Sequence, residues 1–377
     1  MTMEFCHNIM YNINGKKTAE MKGSDLQMKK IKLGSLREFT ISSLIEAGVS
    51  AANAAEAADV LITTDTFGVK THGTKNLSQY IQKMQAGGLD PHAEPTVERE
   101  GASWAMINGN KALGMVSGCK AMKLAIKKAK ETGIAYVGVR NSCHFGAAGC
   151  YSNIAAAEGM IGLSMSNADP VIAVPGGRSK AIGTNPFSFA APLRDGTSLF
   201  LDIALSNVAA LKVISAKEKG QPIPDTWLVD ENGLPTTDAD KFPKEASLQP
   251  MAAHKGYGLA VLVELLSSVV TGAGMLSEVA SWNLDMSSTN NVGHAFIAID
   301  ISQMLPYEQF TARMQKLADE LHQSPKAVGC DRIWLPGEME WEKRKKALES
   351  GELELTDAMV NSLTGLSEKN GIKLNLI

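Results

Sequence analysis

Cysteine is scarce in this chain, and its placement argues against two classes of stabilised site. The 377 residues contain five cysteines, at positions 6, 119, 143, 150 and 330, an odd number without Cys-x-x-Cys spacing. Disulfide frameworks and structural zinc sites both need paired or regularly spaced thiols. The sequence therefore predicts a protein of a reducing compartment, the cytoplasm, without a metal site.

Long apolar runs and one-sided charge are absent too. The longest apolar candidate, residues 256–270, is interrupted by Glu264, whereas a membrane-spanning helix needs about 20 apolar residues. The net charge is −3 and the basic residues form no long run, which argues against nucleic acid or a membrane surface as the partner. Residues 1–30 lack the apolar core of a signal peptide and are interpreted as a loose N-terminal extension.

Two nucleotide-binding signatures are also missing. The chain contains no Gly-x-Gly-x-x-Gly run and no P-loop. A Rossmann dinucleotide fold and P-loop ATP chemistry are therefore not supported by the sequence.

The patterns that are present predict an α/β protein with two or three intertwined subdomains. Residues 35–83 carry three helical patterns, and residues 96–204 alternate short apolar strands with amphipathic helices. Residues 220–250 are polar and show little periodicity, which predicts a long functional or surface loop. Residues 307–322 predict the last long core helix, before a charged helical tail.

A histidine on a glycine-rich turn is the first candidate for chemistry. His144 lies in residues 141–149 (NSCHFGAAG), between an apolar strand pattern at 134–140 and a helical pattern. Ligands of α/β proteins usually lie at such strand-to-helix junctions. The neighbouring Cys143 does not predict a thiol–imidazole pair, because adjacent residues of an extended segment point to opposite faces.

Three further histidines stand out. His72 is predicted at the start of the third helix, where the positive helix end would lower the pKa of its imidazole. His254 and His294 complete the set, but no carboxylate spacing turns the four histidines into a metal site. His72 is thus either a local cap or a tuned acid/base.

Eight ordered blocks resemble the malate/L-lactate dehydrogenase-like family, which also includes ureidoglycolate, sulfolactate and diketogulonate oxidoreductases. The blocks are residues 71–80 (THGTKNLSQY), 141–149, 166–170 (SNADP), 183–186 (GTNP), 202–206 (DIALS), 254–259 (HKGYGL), 293–300 (GHAFIAID) and 336–338 (PGE). The resemblance covers roughly residues 35–340.

The resemblance implies hydride transfer with NAD or NADP on a fold other than the Rossmann fold, in a homodimer. It predicts a mixed-sheet cofactor domain at 96–300 and a helical substrate and dimerisation domain from residues 31–95 and 301–377. The residues it implies at the cofactor are Asp202, Ile203, Ala204, Lys255 and Gly256, with Pro336, Gly337 and Glu338 as further candidates.

Reduction of a 2-oxo acid leaves negative charge on the carbonyl oxygen, so a neighbouring group must deliver a proton. A histidine has a pKa suited to this step, and His144 is the first choice and His72 the second. Asp169 and Asn185 are predicted to orient the imidazole or the ligand, with loop capping as the alternative.

One position departs from the family pattern. Asn76 stands where the family usually has an arginine, which would hold a substrate carboxylate in a charge-assisted pair. The predicted substrate is a small anionic 2-hydroxy acid, with malate favoured. The alternatives are a ureidoglycolate, sulfolactate or cyclic-imine oxidoreductase, or a cofactor-binding protein that has lost turnover.

Overall fold

A computed structural model of the chain describes residues 29–377. All but the last two residues of the predicted N-terminal extension, 1–30, lie outside the described residues. Within the described part, none of the helices combines the length and the low polarity that crossing a bilayer requires.

The N-terminal helices form because small and apolar side chains recur at helical spacing. They are α1 (Leu33–Glu46), α2 (Ala51–Thr66) and α3 (Leu77–Gln85), with a 3₁₀ turn at Thr74–Asn76 before α3. The alanines of α2 at positions 54, 57 and 58 are fully buried, so α1 and α2 pack closely. The prediction that the third helix begins near Thr71 is wrong, because residues 67–73 form turns and α3 starts six residues later.

A mixed seven-stranded sheet forms the centre of the molecule, in the order β2-β3-β4-β13-β5-β8-β9. Its strands are β2 (Thr96–Glu100), β3 (Trp104–Asn108), β4 (Ile134–Ser142), β5 (Ile161–Ser166), β8 (Phe187–Pro192), β9 (Ser198–Ile203) and β13 (Val292–Ile299). The β3–β4 pair is parallel and the other neighbours are antiparallel. The helices α4 (Gly114–Thr132) and α5 (Ala148–Ala157) pack against this sheet.

A second, five-stranded sheet has the order β11-β10-β12-β6-β7. Its strands are β6 (Ile172–Ala173), β7 (Lys180–Ile182), β10 (Leu228–Val229), β11 (Pro235–Thr236) and β12 (Ser247–Leu248). Helix α6 (Ala210–Glu218) precedes β10 in the sequence. Part of the segment predicted as a long loop, 220–250, is therefore sheet. Strands of two or three residues are too short for an alternating pattern to show in the sequence.

The C-terminal part contains α7 (His254–Glu264), a π-helical turn (Leu265–Val269), α8 (Tyr307–His322), α9 (Glu338–Ser350) and α10 (Asp357–Asn370). The short strand β14 (Glu352–Glu354) pairs with β1 (Lys30–Lys32), which brings the two ends of the described chain together. Helix α8 has its predicted bounds but is not a core helix, since Thr311 and Ala318 are its buried residues.

One hydrophobic cluster joins the terminal helices to the central sheet. It contains Leu36 of α1, Leu61 of α2, Val137 of β4 and Leu363 of α10, among others. The amide of Asn370 also donates to the Ser43 hydroxyl at 3.0 Å. The helices from the two ends of the chain thus pack together, and the division at residues 95 and 301 stays a prediction.

Candidate active site

The turn between β4 and α5 carries His144. Its neighbours Cys143 and Phe145 are buried, and Phe145 stacks on the ring of His294 with ring centroids 4.4 Å apart. The thiol of Cys143 donates to the side-chain oxygen of Asn290 at 2.9 Å, and burial raises the pKa of Cys143 to about 12. The thiol therefore takes no part in a pair with His144, as the alternation of the segment predicts.

The His144 ring is surrounded by three aromatic rings. The indole of Trp282 stacks on it with centroids 4.3 Å apart and an interplanar angle of 7°. The centroid of the His72 ring lies 5.5 Å from that of His144, with an interplanar angle of 26°, and the centroid of the Tyr80 ring lies 5.9 Å from it. The structure thus brings the two histidines together, although 72 positions separate them in the sequence.

Tyr80 makes the shortest polar contact to this imidazole. Its hydroxyl lies 2.5 Å from Nδ1 of His144, and the Gly146 N–H donates to the same nitrogen at 3.4 Å. Within residues 29–377, Nε2 of His144 has no hydrogen-bond partner. Nε2 is therefore the nitrogen left to exchange a proton with a ligand.

Burial dominates the electrostatics of both histidines. It lowers the pKa of His144 well below 6.5, and the nearby His72 and His294 lower this pKa further. Burial also lowers the pKa of His72, followed by the charge of Lys75. The cause predicted for His72, the positive end of a helix, is wrong because His72 lies in the turn before α3.

The segment carrying Trp282 is tied to α3 and to Asp169. The fully buried Lys83 donates to the carbonyls of Asp285 and Ser288 at 2.6 and 2.9 Å. Burial raises the pKa of Asp169 while a hydrogen bond from Ser281 lowers it. Asp169 is thus hydrogen-bonded to the residue before Trp282, and Trp282 in turn stacks on the His144 imidazole.

Asn185 lies in a buried polar network. Its side-chain oxygen accepts from the Ala168 N–H at 3.1 Å, and its NH₂ donates to the Ala260 carbonyl and to Glu264. Glu264 also accepts from Asn167 at 3.2 Å. The amide thereby holds the backbone next to Asp169 and anchors it to α7, which matches the loop-capping alternative.

His294 and His254 have different surroundings. The two ring nitrogens of His294 each lie 2.9 Å from a serine hydroxyl, and burial lowers its pKa to about 3. His294 is thus a buried histidine of β13 whose two ring nitrogens both have hydrogen-bond partners. His254 is exposed at the start of α7, and the described residues contain no group of three metal-ligating side chains.

The residues predicted at a cofactor gather around the end of β9. Asp202 accepts from the Gly149 N–H of α5 at 2.8 Å, and burial raises its pKa to about 6. Ile203 ends the strand, and Ala204 is exposed just beyond it. Because α5 begins four residues after His144, this cluster and the histidine cluster flank the same helix start.

The start of α7 lies beside this strand end. The Met251 N–H donates to the Leu205 carbonyl at 2.9 Å, and the buried Gly256 N–H donates to the Met251 carbonyl at 3.0 Å. A Cβ on Gly256 would come within 2.1 Å of that carbonyl oxygen, so only glycine fits. Lys255, one residue earlier, is exposed at the start of α7.

The segment 336–338 also packs against β9. The Phe200 N–H donates to the Pro336 carbonyl at 3.1 Å, and a Cβ on Gly337 would come within 2.5 Å of the Phe200 ring. Glu338 is engaged in ion pairs with His322 and Arg332 at 2.9 and 3.2 Å. Its carboxylate is thus already used within this segment.

The donor set at this strand end suits a nicotinamide dinucleotide. A carboxylate such as Asp202 can accept from ribose hydroxyls, and the exposed Lys255 offers a cation to a phosphate. The backbone before α7 has positive φ at Ala252 and Ala253, 48° and 53°, and turns sharply into the helix start that carries Lys255. These residues fit the group.

Several contributors were not predicted from the sequence. Tyr80, Trp282 and Glu264 were given no role. Tyr80 is the last residue of the block 71–80 and Glu264 is a lone carboxylate in a strongly apolar helix, whereas Trp282 lies in none of the eight blocks. Asn76, the position predicted to depart from the family pattern, donates to the Thr71 carbonyl at 2.9 Å and closes the turn that holds His72.

Several known proteins are similar to this chain over most of its length. A malate dehydrogenase of Pyrococcus abyssi is 36% identical over 349 residues, covering 90% of this chain and 94% of the relative. A ureidoglycolate dehydrogenase (NAD(+)) of Escherichia coli K12 is 34% identical over 328 residues, covering 87% and 93%. The crystal structure of malate dehydrogenase from Entamoeba histolytica matches with a TM-score of 0.86 at 31% identity, covering 92% of this chain and 99% of that one.

The family profile described as malate/L-lactate dehydrogenase matches residues 31–364. With this match and these relatives, the chain belongs to the malate/L-lactate dehydrogenase family of oxidoreductases.

Proposed function

We propose that the protein is an NAD(P)-dependent dehydrogenase that interconverts a small 2-hydroxy acid, with malate favoured, and its 2-oxo acid. The observation that carries the proposal is the 2.5 Å contact between Tyr80 and Nδ1 of His144, which leaves Nε2 facing the site. When bound, the nicotinamide coenzyme supplies the hydride donor or acceptor that side chains lack.

His144 performs the proton transfer in this proposal. In the tautomer that carries hydrogen on Nδ1, this nitrogen donates to the Tyr80 oxygen and gives up the long 3.4 Å contact from the Gly146 N–H. Nε2 then takes the proton of the hydroxy acid, and the imidazolium returns it to the oxo acid in the reverse direction. The lowered pKa keeps the imidazole neutral at pH 7, ready to act as a base. An anionic substrate nearby favours the protonated form, which the reverse reaction needs.

His72 and Asp169 have supporting roles. His72 faces the His144 ring and offers a second imidazole to the substrate, while Asp169 holds the Trp282 segment through Ser281. The Trp282 indole covers one face of the His144 ring and excludes water from it. Asp202, Ile203, Ala204, Lys255 and Gly256 hold the coenzyme, with residues 336–338 supporting β9 behind them.

A second copy of the chain completes the assembly in this proposal. The side chains of α7 and the π-helical turn that follows expose an apolar stripe, each between 43% and 51% exposed: Leu259, Leu262, Leu265, Val269 and Val270. A contiguous apolar patch of this kind marks an interaction surface, and we assign it to a homodimer. Three of the cysteines are buried as thiols, which accords with a reducing, cytoplasmic location.

Asn76 favours a second candidate within the same chemistry. Its amide is committed to the Thr71 carbonyl and offers no charge to a second carboxylate. A ureidoglycolate, sulfolactate or cyclic-imine substrate, or a protein that binds the coenzyme without turnover, is therefore the alternative to malate.

The deciding assay follows the oxidation of NADH and NADPH with oxaloacetate, pyruvate and other 2-oxo acids in parallel. Wild type is compared with His144→Ala and His72→Ala, and His92→Ala, an exposed histidine away from the site, is the matched control. We expect His144→Ala to lose at least about a hundredfold in turnover while it still binds the coenzyme. Tight coenzyme binding with no turnover of any 2-oxo acid by wild type contradicts the proposal and supports a binding protein.

A further inference from the structure

A buried carboxyl group behind the His72 turn is not used by the proposed reaction. Asp65, near the end of α2, is 1% exposed and accepts two hydrogen bonds at Oδ2. The donors are the Thr74 N–H at 3.0 Å and the Thr74 hydroxyl at 2.6 Å. Among residues 29–377, none forms an ion pair with Asp65 within 4.0 Å, so the turn is its principal polar partner.

The turn is seated directly on this carboxyl group. A Cβ on Gly73 would come within 1.9 Å of Oδ1 of Asp65, a distance that no side chain tolerates. Oδ1 itself has no hydrogen-bond partner within the described residues. Burying a carboxyl group with one unpartnered oxygen lowers the stability of the fold, which indicates that Asp65 has a role beyond stability, namely to hold this turn.

What it holds is the segment that carries His72. Thr74 is two residues after His72 and begins the 3₁₀ turn, and the His72 N–H donates to the Val69 carbonyl at 3.1 Å. The Val69 N–H in turn donates to the Thr64 carbonyl of α2 at 3.1 Å. The turn is therefore fixed on both sides of the imidazole, through Val69 before it and by Asp65 after it. Within the described residues no hydrogen bond joins Asp65 to His72 or His144, so an effect on the reaction passes through this turn.

We propose that Asp65 is a positioning residue that holds His72 against His144 by accepting both Thr74 hydrogen bonds. The inference rests on the proposed dehydrogenase function and deepens it, because it makes the 5.5 Å spacing of the two imidazoles depend on a group outside the site. Loss of the Thr74 bonds moves His72 without removing it.

A pair of identical substitutions tests this. Thr74→Val removes the hydroxyl that donates to Asp65, whereas Thr64→Val removes a hydroxyl, one residue before Asp65, that donates to the Val60 carbonyl at 2.8 Å. Both hydroxyls are fully buried. Thr74→Ser keeps the hydroxyl and serves as the conservative rescue.

We expect Thr74→Val to lower kcat by about tenfold, and Asp65→Ala by about a hundredfold, with the dissociation constant for NADH unchanged within about threefold. Thr64→Val and Thr74→Ser should keep kcat within about twofold of wild type. The ¹³C-labelled His72 ring resonance, assigned with His72→Ala, should shift in Thr74→Val and Asp65→Ala but not in Thr64→Val.

Equal losses of kcat in Thr74→Val and Thr64→Val, or an unmoved His72 resonance in Thr74→Val, overturn the inference. If Asp65→Ala does not fold, the two valine variants decide the question. If wild type turns over no 2-oxo acid, the proposed function fails, and the His72 resonance still decides whether Asp65 positions this ring.

Discussion

Replacing Tyr80 by phenylalanine tests the hydrogen bond on which the proposed acid/base depends. Tyr80 is fully buried, and its ring packs against Trp282 with centroids 5.2 Å apart, so phenylalanine keeps the packing and removes only the hydroxyl. The protonated Nδ1 of His144 then faces only the Gly146 N–H at 3.4 Å, which is itself a donor and cannot accept its hydrogen. The imidazolium form loses its acceptor.

The size of the effect follows from the strength of that bond. A hydrogen bond to a charged group contributes roughly 1.5–3 kcal/mol. Since about 1.4 kcal/mol corresponds to a tenfold change in rate, kcat for reduction of the 2-oxo acid should fall roughly 10- to 150-fold. The affinity for the coenzyme should not change, because Tyr80 contacts His144 and Trp282 and is not among the residues proposed to hold the coenzyme.

Single-turnover measurements of NADH oxidation separate this chemical step from binding. Tyr136→Phe is the matched control, because Tyr136 lies on β4, the strand before the His144 turn, and its hydroxyl donates to the Leu266 carbonyl at 2.6 Å and not to the imidazole. A Tyr80→Phe enzyme that reacts as fast as Tyr136→Phe would falsify the assignment of Tyr80 as the partner of the acid/base.

Three further results are expected. Because the pKa of His144 is well below 6.5, kcat/KM for oxidation of the hydroxy acid should stay level from pH 8 down to about 6.5 and fall only in more acidic buffer, as a pH–rate profile will show; a midpoint above 6.5 contradicts this. Burial raises the pKa of Asp65 from its ordinary value of 3.8 to about 7. Between these pH values the folded state keeps a proton that the unfolded state has lost, so the free energy of unfolding falls as the pH rises. Urea denaturation should show wild type losing up to about 4 kcal/mol relative to Asp65→Asn between pH 4 and pH 7, and parallel curves would refute the shift. Replacing Leu262 or Val269 by aspartate should convert a dimer to a monomer in light scattering, whereas an unchanged mass would place the interface elsewhere.

Local pattern was enough for the elements that frame the site. The apolar residues 134–140 followed by Gly146 and Gly149 predicted the strand, the turn and the helix around His144, and the structure has them at β4 and α5. Such elements follow from side-chain periodicity and from glycine at turns, which act between near neighbours in the sequence. The six-residue error at α3 arose because a 3₁₀ turn has the polar composition of a helix start.

The partners of the site residues could not be predicted in the same way. Asn185 was a candidate for orienting the imidazole, and in the structure its amide binds Ala168 and Glu264, 79 positions along the chain. The second sheet also escaped prediction, because its strands are held by neighbours and not by their own two or three residues. Pairing over such separations depends on how the whole chain closes.

The sequence by itself determined the family, the absence of a Gly-x-Gly-x-x-Gly run, and the position of His144 on a turn, because motif and periodicity are properties of neighbouring residues. Only the tertiary structure decided that the two imidazoles face each other, that Tyr80 and Trp282 enclose one of them, and that Asp65 holds the turn of the other. Hydrogen bonds and ring stacking act over a few ångströms in space, and the folding of distant segments onto one another is what brings those atoms within range.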